Sequence, residues 1–171
     1  MSYPVAATGG LRGQHVPGLT PRSTLRQVFG VNGGAIMVEC DDSNWPLAIM
    51  VAEQAMTPTD HRLFLDRWSG WLDRARPFAL LRIFASEAAL AEPMAAPAEW
   101  RRWCALNGER ARALVAGIAT TVPRDWAGPA PGLALDGLSG VRAAVFDTSM
   151  AAVAWLRTEI LRPLGLRIDS L

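Results

Sequence analysis

The chain of 171 residues has no lysine; all 17 of its basic residues are arginine. It has two cysteines, two histidines and a single tyrosine. Two cysteines, Cys40 and Cys104, cannot make a disulfide framework, and they fit a reducing, cytoplasmic compartment. With only His15 and His61 beside them, and no close spacing, they exclude a zinc site. Long apolar runs are missing too. Stretches such as Leu47–Ala52 and Phe78–Leu81 fall far short of the ~20 residues a spanning helix needs. No charged start leads into an apolar segment, so no signal peptide is expected. A formal net charge of +1 excludes a globally basic nucleic-acid binder. No glycine-rich phosphate loop is present: the run Gly30-Val31-Asn32-Gly33-Gly34 precedes a strand pattern, not a helix. What is there is apolar. Half the residues are hydrophobic and 19% are charged, which excludes wholesale disorder. A chain of this length can bury a sizeable core without metal or disulfide staples. Arginine without lysine, beside abundant alanine, matches a GC-rich genome.

Residues 1–33 differ from the rest. Pro4, Pro17 and Pro21, with Gly9, Gly10, Gly13 and Gly18, oppose regular structure. Arg12, Arg22 and Arg26 stand there without an acid, since the first acid is Glu39. The segment reads either as a simple tail or as a basic arm that docks on an acidic partner or a second subunit. With no dense arginine cluster and only Tyr3 and Phe29 to stack, no nucleic-acid partner is expected. Residues 34–171 form the folded domain.

Gly34–Cys40 and Pro46–Glu53 predict two strands joined by the turn Asp41-Asp42-Ser43-Asn44. Thr57-Pro58-Thr59-Asp60 predicts a helix start, with Thr57 as cap, Pro58 in the first turn and Asp60 at the positive dipole end. Phe64, Trp68, Trp71, Leu72 and Ala75 share one face of that helix. Arg62 and Asp66 on the other side predict an i,i+4 pair. Phe78–Phe84 reads as a buried strand and Glu99–Leu114 as a second helix. Val115–Val122 and Val141–Phe146 read as strands around a Pro/Gly loop, residues 124–140. A last helix runs to about Arg162, with Met150, Val153, Leu156 and Ile160 inward. Strands alternating with helices predict an α/β fold: a single mixed, mostly parallel sheet of about five strands with helices packed on it.

From about Gly34 to Arg162 the chain resembles the STAS-like, or SpoIIAA-like, group, which is similar to bacterial anti-sigma-factor antagonists. Three stretches carry the resemblance. The first is Met56-Thr57-Pro58-Thr59-Asp60 and the amphipathic helix after it. The second is Arg76-Pro77-Phe78-Ala79-Leu80-Leu81, entering the central strand. The third is Val145-Phe146-Asp147-Thr148-Ser149, followed by Ala152 and Trp155-Leu156-Arg157. The resemblance implies a small α/β sheet that works by binding protein partners, in some members switched by phosphorylation, in others binding lipids or nucleotides. It implies a phosphorylatable serine after the third family strand. Ser86, in Ala85-Ser86-Glu87-Ala88, matches that position only loosely, lacking the usual Asp and Gly. It reads otherwise as a cap.

Few residues carry a chemical pattern. His61 beside Asp60 reads as a solvated first-turn histidine, because adjacent helix residues do not face each other. Cys104, among Trp103 and Leu106, reads as a buried structural thiol, and Cys40 likewise. Glu39, Asp41, Asp42 and Glu53 read as a solvated turn. No catalytic residue, metal or cofactor is assigned. Arg82 is the oddest residue, in an apolar strand on the face of Phe78, Leu80 and Phe84. A buried arginine must be paired, near a strand end or at an edge; an anion or partner contact stays open beside a structural pair. Trp126, in the 124–140 loop, is the tryptophan expected to be exposed and is a candidate partner anchor. The expected function is non-enzymatic, a binding or regulatory protein acting on a protein partner or on itself as a dimer. Alternatives are an accessory subunit anchored by the arm, and a lipid or nucleotide binder, or minor enzyme, with a pocket near residues 85–98 and 124–140.

Overall fold

The computed structural model describes residues 38–91, 96–126 and 138–168. Arg12, Arg22 and Arg26, and much of the two loops named above, lie outside the described residues. The elements are β1 (Val38–Asp41), β2 (Leu47–Ala52), α1 (Pro58–Asp73), β3 (Phe78–Phe84), α2 (Ala96–Leu114), β4 (Val115–Thr121), β5 (Arg142–Phe146) and α3 (Ser149–Trp155). The strands form one sheet in the order β1-β2-β3-β4-β5. β1 and β2 are antiparallel; the other three pairings are parallel. The protein is α/β, with one five-stranded mixed sheet, mostly parallel, and three helices packed on it.

The alternation of side chains along the strands sorts the core into two layers. Ala48, Met50, Phe78, Leu80 and Ile118 face α1 and α2, meeting Phe64, Trp68, Trp71, Leu72, Trp103 and Ala111. Leu47, Ala79, Leu81 and Ala119 face the other way, meeting Ala152, Leu156, Ile160 and Leu161. β3 is covered on both faces, which explains its unbroken apolar run. Trp68 is the centre of the first layer, with Phe64, Trp100 and Trp103 rings at 5.5, 5.3 and 4.9 Å.

Helix α1 begins as its sequence dictates. The Thr57 hydroxyl accepts from the Asp60 amide at 3.2 Å, and the Asp60 carboxylate accepts from the Thr57 amide at 3.0 Å, a complete capping box. It ends at Asp73 with Arg74 as C-cap, and Ala75 just after it is in the left-handed region with φ 51°. Its last turn is tied to the β1–β2 turn, where Asp42 Oδ2 accepts from Trp71 Nε1 at 3.0 Å and from Arg74 at 2.6 Å. Arg74 also lies 4.3 Å from the Trp45 ring centre. The expected solvated acidic turn is therefore corrected for Asp42: Trp71, buried in the core, needs an acceptor for its N–H.

The last helix differs from expectation. After Trp155 the chain continues as a π-helical segment, Leu156–Leu161, and a 3₁₀ turn, Arg162–Leu164. The widened turns press Ile160 onto β4 at Gly117. A Cβ at Gly117 would stand 2.9 Å from three Ile160 carbons. Met150, expected inward, is 81% exposed.

Candidate functional site

In a βαβ arrangement each helix begins where its preceding strand ends. The first turns of α1 and α2 therefore lie at the carboxyl ends of β2 and β3, the side where open α/β sheets hold their ligands. The structure brings His61, Arg62 and Glu99 together there. His61 Nδ1 is 2.9 Å from Glu99 Oε2, and Arg62 Nε is 3.2 Å from Glu99 Oε1. His61 is buried, so the solvated histidine expected from sequence is corrected. Arg62 meets Glu99 rather than forming the predicted pair with Asp66. The chemistry available is that of an acid–histidine pair, with the carboxylate fixing the ring through Nδ1. Its visible effect is to tie the start of α1 to the start of α2.

Arg82 lies in the central strand near this same end, buried, with Met50 and Thr120 beside it in the ladder. Its Nε and one terminal nitrogen donate to Thr120 Oγ1 at 3.1 and 3.0 Å. The guanidinium also lies 5.9 Å from the Phe84 ring centre. Pairing, not an edge position, is what makes its burial tolerable. Ser86 donates to the Glu53 carbonyl at 2.7 Å and accepts from the Ala89 amide at 3.2 Å. Its hydroxyl thus links the ends of β2 and β3 and caps the short 3₁₀ turn Ala88–Leu90.

Trp126 does not stand out into solvent as expected. It is half-buried against the α1/α2 layer, and its indole N–H is shielded from water with no hydrogen-bond partner. Leu106, taken as a neighbour that buries Cys104, is 75% exposed. Neither cysteine forms a disulfide, and both are half-buried.

Burial pushes the Cys40 thiol up from its ordinary 9.0 to about 11; Arg67 opposes this and Asp42 adds to it. Burial likewise raises Cys104, against the pull of Arg112. The folded state therefore holds the Cys40 proton where the unfolded chain loses it. Stability should be unaffected by this group below pH 9 and fall as pH rises from 9.0 to about 11. The loss reaches at most about 2–3 kcal/mol. Lysine-free composition keeps that window clear of most competing titrations. Denaturant unfolding across it, for the native chain and Cys40→Ala, checks the effect: the variant's curve should be flatter.

The remaining unusual surface is at β5. Among the described residues it is the last strand of the sheet, and its burial is far lower than that of β3 or β4. Val145 is 57% exposed. Met150, in the first turn of α3, is also exposed. The sequence signal was Val141–Phe146, read as a strand; which strand closes the sheet is not written in a period of two.

Among the described residues no helix is long and apolar enough to cross a membrane, and no group of three or more metal-ligating side chains could hold an ion. No protein-family model, curated protein or solved structure matches the chain.

Proposed function

We propose that this chain is a non-enzymatic binding or regulatory protein that acts through protein–protein interaction. The observation that carries the proposal is the poorly buried last strand β5, with Val145 exposed on it, and the exposed Met150 at the start of α3, the helix that follows it. An open strand edge next to them offers main-chain hydrogen bonds as well. The resemblance to STAS-like domains, which work by binding, points the same way. A cytoplasmic location is part of the proposal and fits two cysteines that form no disulfide. The basic arm with Arg12, Arg22 and Arg26 is a second contact in this proposal. Arg82 and Trp126 are not its anchors: both turn toward the core, while Val145 and Met150 meet solvent.

A pull-down from the source organism's native lysate, with mass spectrometry, tests this. The double variant V145K/M150K should lose the partners captured by the native chain and keep its unfolding midpoint, since both side chains are exposed. An unchanged set of captured proteins would contradict the proposal.

A further inference from the structure

Among the described residues, the two edge strands of the sheet are built differently. β1 carries Glu39 and Asp41, and Asp42 follows it. Like charges on an edge repel a second strand and guard against pairing. β5 has Ala143, Ala144 and Val145 in its middle, no proline, and an unbroken register with β4. Its charges stand only at its ends, Arg142 at the start and Asp147 just after. An edge without guards is the exception that needs a reason.

The backbone directions follow from one bond. The Phe146 carbonyl accepts from the Val122 amide at 3.1 Å, so it points toward the β4 side. Main-chain groups of successive strand residues alternate in direction. The N–H and C=O of Ala143 and Val145 therefore point outward, away from β4. These two residues are separated by one, the spacing that lets a strand pair with itself. Laid antiparallel about a two-fold axis at Ala144, Ala143 of each copy opposes Val145 of the other. Each such pair exchanges two hydrogen bonds, four in all. The same register sets the Arg142 end of each strand beside the Asp147 end of the other. Arg142 is occupied by the Glu159 carbonyl at 2.7 Å and the Trp155 ring at 5.7 Å, and Asp147 is 3.7 Å from Arg124. All three charged side chains are exposed, so they contribute attraction between unlike ends rather than a new ion pair. A parallel pairing would bring like ends together.

We infer that β5 is a homodimer interface, pairing antiparallel with β5 of a second copy to give a continuous ten-stranded sheet, counted as twice the five strands of one chain. This rests on the binding proposal above and names its partner as the chain itself. The match is isologous: one patch, complementary to itself under a two-fold. Ala143 and Val145 project on the face that carries Ile118 and Thr120 of β4. Each Val145 would there cover the exposed Ala143 of its partner, an apolar cross-strand pair.

Sedimentation velocity on the full chain, from about 1 to 100 µM, spans the affinities of a small interface. The native chain should shift from monomer to dimer across that range. Val145→Pro removes an N–H that the isolated subunit does not use, at an edge position where proline is tolerated. Ala143→Lys keeps every N–H and places a guarding charge on the edge. Both variants should dimerise at least about tenfold more weakly, as loss of an interface centre does, with unfolding midpoints unchanged at the lowest concentration. If Val145→Pro does not fold, Ala143→Lys alone decides. A native chain that stays monomeric throughout overturns the second-copy assignment; whether another protein takes the edge is then read from the V145K/M150K pull-down. A dimer that persists in the folded variants places the interface elsewhere and overturns the inference as well.

Discussion

Trp68→Ala should cost about 3–5 kcal/mol of stability, the range for emptying the site of a core tryptophan. Trp68 is fully buried, and its ring touches those of Phe64, Trp100 and Trp103. Removing it opens a cavity between α1 and α2 that three large rings cannot all relax into. Trp68→Phe should cost much less. Its loss of volume is smaller, and the change deletes the indole N–H, which is buried without a hydrogen-bond partner. An unsatisfied buried donor costs about 1–3 kcal/mol, so part of the lost packing is offset. Chemical denaturation of both variants measures the contrast. Equal costs would mean that the indole N–H is satisfied.

Gly117→Ala should destabilise by about 1–3 kcal/mol, the usual cost of overpacking a close-packed site. The added Cβ meets Cγ1, Cγ2 and Cδ1 of Ile160 at 2.9 Å. A β-branched side chain is stiff at χ1, so Ile160 cannot swing clear. It sits in the π-helical segment that presses on β4. Ile160→Ala alone should also destabilise, by cavity formation. Together the two changes should cost less than their sum, with a coupling of at least about 0.5 kcal/mol, because each relieves the other. Additive costs would show that the close approach of the π-helical segment to β4 is not what limits residue 117.

The element order, the mostly parallel sheet and α1 were legible because their signals are local. Thr57, Pro58 and Asp60 announce a capped helix within four residues, and the alternation of strand and helix implies a parallel sheet. The long-range side-chain pairs were not. His61 meets Glu99 across 38 residues, and Asp42 meets Trp71 across 29; no periodicity encodes such partners. Arg82 stood out in Phe78–Phe84 because charge inside a buried run is costly, yet only the β3–β4 register shows that Thr120 receives it. Met150 was expected inward because it fits an i, i+3 pattern with Val153 and Leu156. The inward face of that segment is set by Ala152, Leu156 and Ile160, which leaves Met150 in the first turn exposed. β5 was the hardest case. Its composition is that of an interior strand, and its exposure follows from being last in the sheet.

That exposure is the centre of the functional account, and amide hydrogen exchange tests it most directly. The Ala143 and Val145 amides point outward from β5, whereas those of Ala144 and Phe146 point toward β4. In dilute protein the first two should exchange freely and the second two slowly. Raising the concentration through the dimerisation range should slow Ala143 and Val145 selectively and leave Ala144 and Phe146 unchanged. Exchange at Ala143 and Val145 that is fast at every concentration would contradict β5 as the surface through which this protein binds a second copy of itself.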